Sequence, residues 1–256
     1  MYLGGEVVPG APSVVERVRE RESRVLFLTN TTMNNPEHLR RRLSGLGIRA
    51  EAHEIYSSTT AAARYAAERG HRRAYVVGSA VLRAEVEAHG LRVTSRGDDA
   101  DCLVVGFVPD FDAATLPDGF RPDCEFIAAN LDVDYPVEGG ERRPGCLQTV
   151  SRVAARLGRG HDAVAGKPGT FMLECVEADL GLRPDEIVVV GDNLDSDVAM
   201  AQAAGCRSIL ISHEPGPLPS AFVARDPRPG AVVARDPLPS VVVARLTDVP
   251  AALERL

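Results

Sequence analysis

The sequence has no tryptophan and almost no lysine. Aromatic residues make up only 5% of its 256 residues, so Val, Leu, Ala and Ile must fill the core. Of the 29 lysine and arginine residues, Lys167 alone is a lysine. Where arginine is the default cation, a retained lysine indicates a position that needs a compact point charge rather than a planar fork. The alternative is chance, a leftover lysine on a surface helix or turn.

Other absences exclude several classes of protein. The five cysteines are odd in number and include no C-x-x-C pair, so we expect reduced, mostly buried thiols in a cytoplasmic protein. A formal net charge of -7 argues against nucleic acid or an anionic membrane surface as a partner. No apolar run approaches the ~20 residues of a membrane span. The N-terminus shows no charged region followed by an apolar stretch, so no signal peptide is expected.

Short apolar runs alternate with helical patterns along the chain, which predicts an α/β fold with a largely parallel sheet. Asn35 and Pro36 predict a helix start, with Asn35 as N-cap and Pro36 at the first helical position. The predicted strands are Arg24–Leu28, Ala74–Gly78, Leu91–Thr94, Cys102–Phe107, Glu125–Ala129, Glu186–Val190 and Arg207–Ile211. The other predicted helices are Thr59–Arg69, Ser79–His89, Cys146–Leu157, Thr170–Leu180, Asp195–Ala204 and Asp248–Leu256.

A ten-residue repeat occupies residues 222–251, in the copies FVARDPRPGA, VVARDPLPSV and VVARLTDVPA. Units this short, with paired prolines, cannot build a solenoid core. A duplicated surface loop is the first interpretation, and a partner-binding Pro-rich segment is the second. Only the last copy is expected to form a strand, before the C-terminal helix.

An acidic loop follows the predicted strand Glu186–Val190, and its carboxylates are ligands of the kind that hard cations prefer. Ligands of open α/β sheets bind beyond the carboxyl ends of the strands, where Asp192 and Asp197 are expected to lie. Two carboxylates there can hold Mg²⁺, which prefers oxygen ligands and keeps several waters. Asp195 would face outward. The alternative is helix N-capping, which explains one aspartate well and three poorly.

Two further residues point to an anion at the same sheet edge. Thr29 follows another strand, and its hydroxyl and backbone N–H can donate to a phosphoryl oxygen; the alternative is an ordinary turn residue. Lys167 precedes Pro168, Gly169 and a predicted helix N-terminus, a position that attracts anions. A lysine there would neutralise a phosphoryl group and the carboxylates around it.

The order strand–Thr, then Gly-Lys-Pro, then strand–Gly-Asp-x-x-x-x-Asp resembles the haloacid dehalogenase (HAD) superfamily. The chain is most similar to subclass IIA, the NagD-like or 4-nitrophenylphosphatase-like branch. The resemblance covers nearly the whole chain except the repeated segment. The supporting motifs are YLGG at residues 2–5, PGA at 9–11, FLTN at 27–30, FIAANLD at 126–132, PG at 144–145, GKP at 166–168 and GDNLDSD at 191–197.

The resemblance implies a Rossmann-like core with a parallel sheet, formed by residues 1–59 and 161–256. It also implies an inserted α/β cap of the C2 type at residues 60–160, with Asn130 and Asp132 serving the cap or its hinge. A homodimer formed through the cap is a further expectation of the resemblance.

The resemblance also assigns the site. Lys167 and Thr29 are expected to be catalytic, with Lys167 neutralising charge and Thr29 binding the phosphoryl group. The residues expected to bind phosphate or substrate are Thr29, Asn30, Lys167 and Asn193. The expected cofactor is Mg²⁺, bound by Asp192 and Asp197, where Asp197 would order metal-bound waters or Lys167.

The sequence departs from the family at the first motif, Asp-x-Asp-Gly, which supplies the nucleophile and the general acid. The matching segment begins at Met1, and no other Asp-x-Asp-Gly occurs. The first core strand, from the middle of the sheet, is therefore expected to be missing. Two explanations stay open: a misassigned start site with about ten further upstream residues, or a degraded, non-catalytic relative.

Two functions follow. The first is a Mg²⁺-dependent phosphomonoester hydrolase acting on a small phosphorylated metabolite. The second is a catalytically inactive protein that binds phospho-ligands, because covalent phosphoryl transfer needs a carboxylate nucleophile. A dehalogenase ranks lower, since it needs the same aspartate and usually a different cap. Nothing in residues 60–160 identifies the substrate.

Overall fold

A computed structural model of the chain describes residues 1–3, 5–137, 141–212 and 238–256. Its strands are β1 (Tyr2–Leu3), β2 (Glu6–Val7), β3 (Phe27–Thr29), β4 (Ile55–Ser57), β5 (Arg73–Val77), β6 (Arg92–Thr94), β7 (Cys102–Val105), β8 (Glu125–Ala128), β9 (Asp134–Pro136), β10 (Arg142–Pro144), β11 (Ala163–Val164), β12 (Val188–Gly191), β13 (Arg207–Ile211) and β14 (Val241–Val243). Its α-helices are α1 (Ala11–Arg19), α2 (Pro36–Gly45), α3 (Ser58–Glu68), α4 (Ala80–Ala88), α5 (Cys146–Leu157), α6 (Phe171–Leu180), α7 (Ala199–Ala203) and α8 (Val249–Leu253).

The largest sheet has five parallel strands in the order β11-β8-β7-β5-β6. Its central strand β7 is buried on both faces, which explains the uninterrupted apolar run from Cys102 to Val105. Cys102 and Val104 pack with apolar side chains of α3 and α4, whereas Leu103 and Val105 pack with those of α5. The sheet therefore forms the middle of a three-layer α/β/α arrangement.

Two smaller parallel sheets face each other across a cavity. One pairs β3 with β4, and the other has the order β12-β13-β14. Within the described residues β3 and β12 do not pair with each other, and a cavity of about 380 Å³ lies between them, lined by residues of both strands. The predicted α/β fold with parallel sheets is confirmed.

Side-chain packing holds the two small sheets together. A single apolar cluster includes residues of α1, α2 and α8 together with Phe27 of β3, Val188 and Val190 of β12, and Ile209 of β13. Helices α3 and α6 belong to a different cluster, on the large sheet. Arg64 of α3 also donates to both carboxylate oxygens of Asp179 on α6, at 2.8 and 2.9 Å. These contacts join the small sheets, the helices and the large sheet.

Several predicted elements agree with the structure and others were missed. The predicted bounds of α5 and β13 match, and Asn35 caps α2 by accepting the backbone N–H of His38. The strand predicted from Arg24 begins instead at Phe27. The elements that were not predicted are the nine-residue helix α1 and the short strands β1, β2, β4, β9, β10 and β11.

The last copy of the repeat forms β14, which pairs parallel with β13 as expected. The first copy, and the second up to residue 237, lie outside the described residues, so the predicted loop stays a prediction. All five cysteines are buried and unpaired, as expected. Among the residues described, no helix combines the length and the apolar character that crossing a bilayer requires.

Candidate functional site

Four of the predicted site residues line one cavity. Thr29 ends β3, Asp192 directly follows β12, and Lys167 and Asp197 complete the polar end of the 380 Å³ cavity between these strands. The carboxyl ends of the parallel strands therefore gather a threonine, a lysine and two aspartates from three distant parts of the sequence.

Lys167 and Asp197 form an ion pair at the centre of the site. The Lys167 Nζ donates to Asp197 Oδ1 at 2.7 Å, and the two side chains are only 13% and 10% exposed. The second carboxylate oxygen of Asp197 accepts the backbone N–H of Asn193 at 3.2 Å. Both oxygens of Asp197 are thus engaged, and its charge is offset within the protein.

Gly191 allows Asp197 to come this close to the strand. A Cβ atom at position 191 would lie 2.3 Å from Asp197 Oδ2 and 2.4 Å from Asp197 Cβ. Any side chain there would displace the carboxylate. The glycine before Asp192 in the Gly-Asp motif is therefore explained by the packing of Asp197 against the end of β12.

The acidic loop enters its helix through a wide turn. Residues Leu194–Val198 form a π-turn, in which the Asn193 carbonyl accepts from both Asp197 N and Val198 N, at 2.9 and 3.3 Å. The Asn193 side chain caps this turn by accepting the N–H groups of Asp195 and Ser196. The sequence predicted an α-helix from Asp195, whereas in the structure this wider turn precedes α7 (Ala199–Ala203).

Asp192 and Asp195 are both exposed, and Asp195 faces outward as expected. Within the described residues, the Asp192 carboxylate has neither a hydrogen-bond nor an ion-pair partner. A free carboxylate oxygen at the end of a strand is the donor type that Mg²⁺ prefers. No group of three or more His, Cys, Asp or Glu side chains converges as a metal cluster in residues 1–3, 5–137, 141–212 and 238–256.

Asn30 binds the main chain of Lys167. Its Oδ1 accepts from Lys167 N at 2.9 Å and its Nδ2 donates to Lys167 O at 3.0 Å. The Lys167–Pro168 peptide bond is cis. Gly166 is tightly enclosed, since a Cβ there would lie 2.5 Å from Ala129 O and 2.8 Å from Asn30 Oδ1. The side chain of Asn30 is therefore in contact with the lysine loop.

Asn130, Asp132 and Ser58 also hold this loop, and Ser58 was not predicted. Asn130 Nδ2 donates to Asn30 O at 2.7 Å, and Ser58 Oγ donates to the same carbonyl at 2.8 Å. Asp132 Oδ1 accepts from Asn30 Nδ2 at 2.8 Å. Burial is the main cause that raises the pKa of Asp132, opposed by Asn30 and Lys167. The Asn-x-Asp sequence after β8 was the signal that indicated Asn130 and Asp132.

A larger cleft of about 880 Å³ opens beside the site and is lined by Thr29, Asn30 and Asp132. Its far wall includes Phe107 and Tyr135, whose rings meet edge to face at 5.4 Å. The polar end can receive an anion, and the remaining volume is sufficient for a small organic group.

Profile comparisons agree with the geometry. Residues 1–92 match the profile of haloacid dehalogenase-like hydrolases, and residues 164–234 match a second profile described as HAD-hydrolase-like. Chronophin of Rattus norvegicus is 32% identical over 226 residues, covering 82% of this chain and 72% of its own length. Glycerol-3-phosphate phosphatase of Mus musculus is 33% identical over 245 residues, covering 82% and 75%.

Solved structures match over almost the whole chain. The p-nitrophenyl phosphatase from Archaeoglobus fulgidus has a TM-score of 0.80 at 26% identity, covering 98% of this chain and 95% of its own. The glycerol phosphate phosphatase from Mycobacterium tuberculosis in complex with magnesium has a TM-score of 0.79 at 27% identity, covering 97% and 72%. The chain belongs to the haloacid dehalogenase-like hydrolases, in their NagD-like and 4-nitrophenylphosphatase-like group.

Proposed function

We propose that the protein is a Mg²⁺-dependent phosphomonoester hydrolase that acts on a small phosphorylated metabolite. The observation that carries this proposal is the convergence of Thr29, Lys167, Asp192 and Asp197 on one cavity. The names of the relatives, glycerol-3-phosphate phosphatase and p-nitrophenyl phosphatase, support the same chemistry. Catalysis of phosphoryl transfer rests mainly on positioning and charge neutralisation, which these residue types supply.

In this proposal Lys167 and Thr29 act on the phosphoryl group. The Lys167 ammonium neutralises its charge, and the Thr29 hydroxyl and backbone N–H donate to its oxygens. Asn30 and Asn193 are proposed to contact phosphate or substrate through groups left free by their bonds within the protein. Both side chains already orient parts of the site, Asn30 at the lysine loop and Asn193 at the acidic loop.

Mg²⁺ fits beside Asp192 better than beside Asp197. The Asp192 carboxylate is exposed and free of partners in the described residues, whereas Asp197 is occupied by Lys167 and Asn193. We propose Asp192 as a direct ligand and Asp197 as a residue that reaches the metal site through Lys167 or ordered water. Bound Mg²⁺ would supply further neutralisation of phosphoryl charge.

The proposed cap comprises residues 60–160, and residues 1–59 and 161–256 form the proposed core. Four strands of the five-stranded sheet, β5 to β8, support this division because they lie within the proposed cap, whereas β11 joins the same sheet from the proposed core. The 880 Å³ cleft is lined from both parts, and cap residues would select the substrate there.

We further propose a cytoplasmic homodimer. The buried, unpaired cysteines support a reducing compartment.

The nucleophile is proposed to come from an Asp-x-Asp-Gly segment encoded upstream of Met1. The cavity between β3 and β12 supports this, because Met1 lines it together with Thr29 and Asp192. An upstream reading frame that encodes an apolar run ending in Asp-x-Asp-Gly is the expected finding. An in-frame stop codon directly before Met1 would exclude it.

The test is hydrolysis of 4-nitrophenyl phosphate with Mg²⁺ by the protein that includes its upstream residues. Lys167→Ala and Asp192→Ala should each remove most of the activity, and chelation of the metal should do the same. Retention of activity in both variants would refute the assignment. Asp123→Ala, at an exposed ion pair with Arg121 far from the site, serves as the control.

The second candidate is a phospho-ligand-binding protein without turnover, favoured by the lack of Asp-x-Asp-Gly in the 256 residues. Calorimetry with phosphate and Mg²⁺ on the chain as printed, together with a turnover assay, separates the two. Binding without turnover in both the printed and the extended protein would establish the second function.

A further inference from the structure

The side-chain amide of Asn30 forms hydrogen bonds with both main-chain groups of Lys167. It accepts the N–H of Lys167 and donates to the C=O of the same residue, at 2.9 and 3.0 Å. An amide that bonds both main-chain groups of one residue fixes the direction in which that residue's side chain leaves the backbone. The starting point of the Lys167 side chain is therefore set by Asn30.

Asp132 adds to the Lys167 main-chain groups in fixing the orientation of this amide. An asparagine amide has an acceptor end and a donor end of similar shape, so it can be flipped at little steric cost. In the observed orientation Nδ2 donates to Asp132 Oδ1 at 2.8 Å. After a flip, the amide oxygen would face the Asp132 carboxylate and the amide nitrogen would face the Lys167 N–H. A carboxylate accepts and never donates when ionised, so it selects the orientation that binds Lys167.

Asp132 is itself held firmly. Its N–H donates to Asn130 Oδ1 at 3.1 Å, and its C=O accepts from Leu147 N at 3.0 Å. Gly145 lies so close that a Cβ there would be 2.3 Å from Asp132 O. Asn130 also donates to the main-chain carbonyl of Asn30. Residues 130–132 therefore bind both the backbone and the side chain of Asn30.

The consequence reaches the charged end of Lys167. Its ammonium lies 2.7 Å from Asp197 Oδ1 on a flexible stem, so its position depends on where the stem begins. We propose that Asp132 is a positioning residue of the phosphoryl site, which orients Asn30 and thereby aims the Lys167 ammonium. This inference rests on the proposed function for the identity of the anion at the site.

The first test compares Asp132→Ala with Asp132→Asn in the hydrolysis of 4-nitrophenyl phosphate, using the protein that includes its upstream residues. Both variants remove the charge, but asparagine keeps an acceptor oxygen for Asn30. We expect kcat/KM to fall about 10- to 100-fold in Asp132→Ala, as for other supporting partners of site residues. Asp132→Asn is expected to restore most of the rate. Equal losses in the two variants, or no loss in Asp132→Ala, would overturn the proposal.

Asp134→Ala is the matched control. Asp134 lies two residues further along, and its carboxylate bonds Arg142 on the neighbouring strand β10. The control removes the same charge close to the site without touching Asn30, so its kcat/KM should match that of the unaltered protein. Circular dichroism and thermal unfolding of all three variants check that the fold is retained.

The second test needs no turnover. Because Lys167 is the only lysine, side-chain labelling of lysine gives one NMR signal, which reports on this residue alone. With inorganic phosphate as the probe, the signal should shift in the unaltered protein and in Asp132→Asn. In Asp132→Ala we expect the free signal to move or split and the phosphate affinity to fall about tenfold.

The outcomes separate the two proposals. If the Lys167 signal of the unaltered protein does not shift when phosphate is added, the result would contradict the proposed phosphoryl site. The comparison of the free signals would still decide the role of Asp132, since an unchanged signal in Asp132→Ala contradicts positioning. A phosphate response that is identical in Asp132→Ala would leave the proposed function intact and refute this inference.

Discussion

Asp197 is the carboxylate that pairs with the lysine of the site. Its two carboxylate oxygens accept from the Lys167 ammonium and from the Asn193 N–H, and its side chain is 10% exposed. A carboxylate with so little water around it depends on its partners, because removing one partner of a buried pair leaves an uncompensated charge. Mutation of Lys167 is therefore expected to affect stability as well as the site.

Gly191→Ala should displace this carboxylate. The new Cβ would lie 2.3 Å from Asp197 Oδ2, so strand β12 or the acidic loop must move. Overpacking of this kind costs about 1–3 kcal/mol of unfolding free energy. Urea denaturation measures the loss. Gly160→Ala is the control, since no atom lies within 4 Å of a Cβ at that position; a similar loss there would contradict the explanation.

Some residues of the site can be recognised from local sequence motifs, whereas the contacts of others cannot. Thr29, Lys167 and Asp192 follow recognisable motifs at strand ends, and the structure brings them to one cavity. The contacts of Asn30 with Lys167 and Asp132 join positions 137 and 102 residues apart. No local pattern encodes such pairings, because they depend on how the sheets and loops assemble.

Among the secondary-structure elements, helix α2 shows how local signals decide a boundary. Asn35→Ala should lower the unfolding free energy by about 1 kcal/mol, because the His38 N–H loses its capping oxygen. Thermal or urea unfolding measures this change. Asn35→Ser keeps a capping oxygen and should therefore retain most of the unfolding free energy that Asn35→Ala loses. If serine and alanine behave alike, capping is not the cause.

Most elements with strong local signals were predicted, apart from α1, and most of the shortest strands were not. Helix α5 has a clear apolar face and a C-terminal Gly158 in the left-handed conformation, φ 65°, which only glycine adopts without strain. Strands β4 and β11 have only 3 and 2 residues, too few to show a period of their own. The π-turn at Leu194–Val198 was not predicted, because no local pattern in the sequence distinguishes it from the first turn of an α-helix.

For the molecule as a whole, acid stability should depend on a carboxylate far from the site. Asp101 accepts the N–H groups of Arg72 and Arg73 and the Arg73 guanidinium, all at 3.0–3.1 Å. Burial alone would raise the pKa of Asp101, but these donors outweigh it and lower the pKa from its usual 3.8. This contribution is present above about pH 4 and is lost as the pH falls through the folded-state value.

Asp101→Asn should therefore lower stability at pH 7 and make the decline between pH 4 and pH 2 less steep. Urea midpoints across this range measure both effects. Asp123→Asn provides the comparison, because the Asp123 side chain is 77% exposed. It should change neither the stability at pH 7 nor the slope. A slope in Asp101→Asn equal to that of the unaltered protein would contradict the account.

The assembly of the sheets was predictable only in outline. Alternating strands and helices correctly indicate parallel sheets, but the order β11-β8-β7-β5-β6 includes crossovers that no local pattern specifies. A cavity separates β3 from β12. The apolar cluster across it shows why the two small sheets still pack together.

The single lysine also limits how the protein can be modified. Acetylation, ubiquitin attachment and most amine-directed crosslinking require a lysine side-chain amine, and here only Lys167 provides one. The Lys167 side chain is 13% exposed, and its amine is bound to Asp197. Acylation of a lysine in this protein would therefore remove the charge that pairs with Asp197. Modification at lysine and disruption of the site are one and the same chemical event.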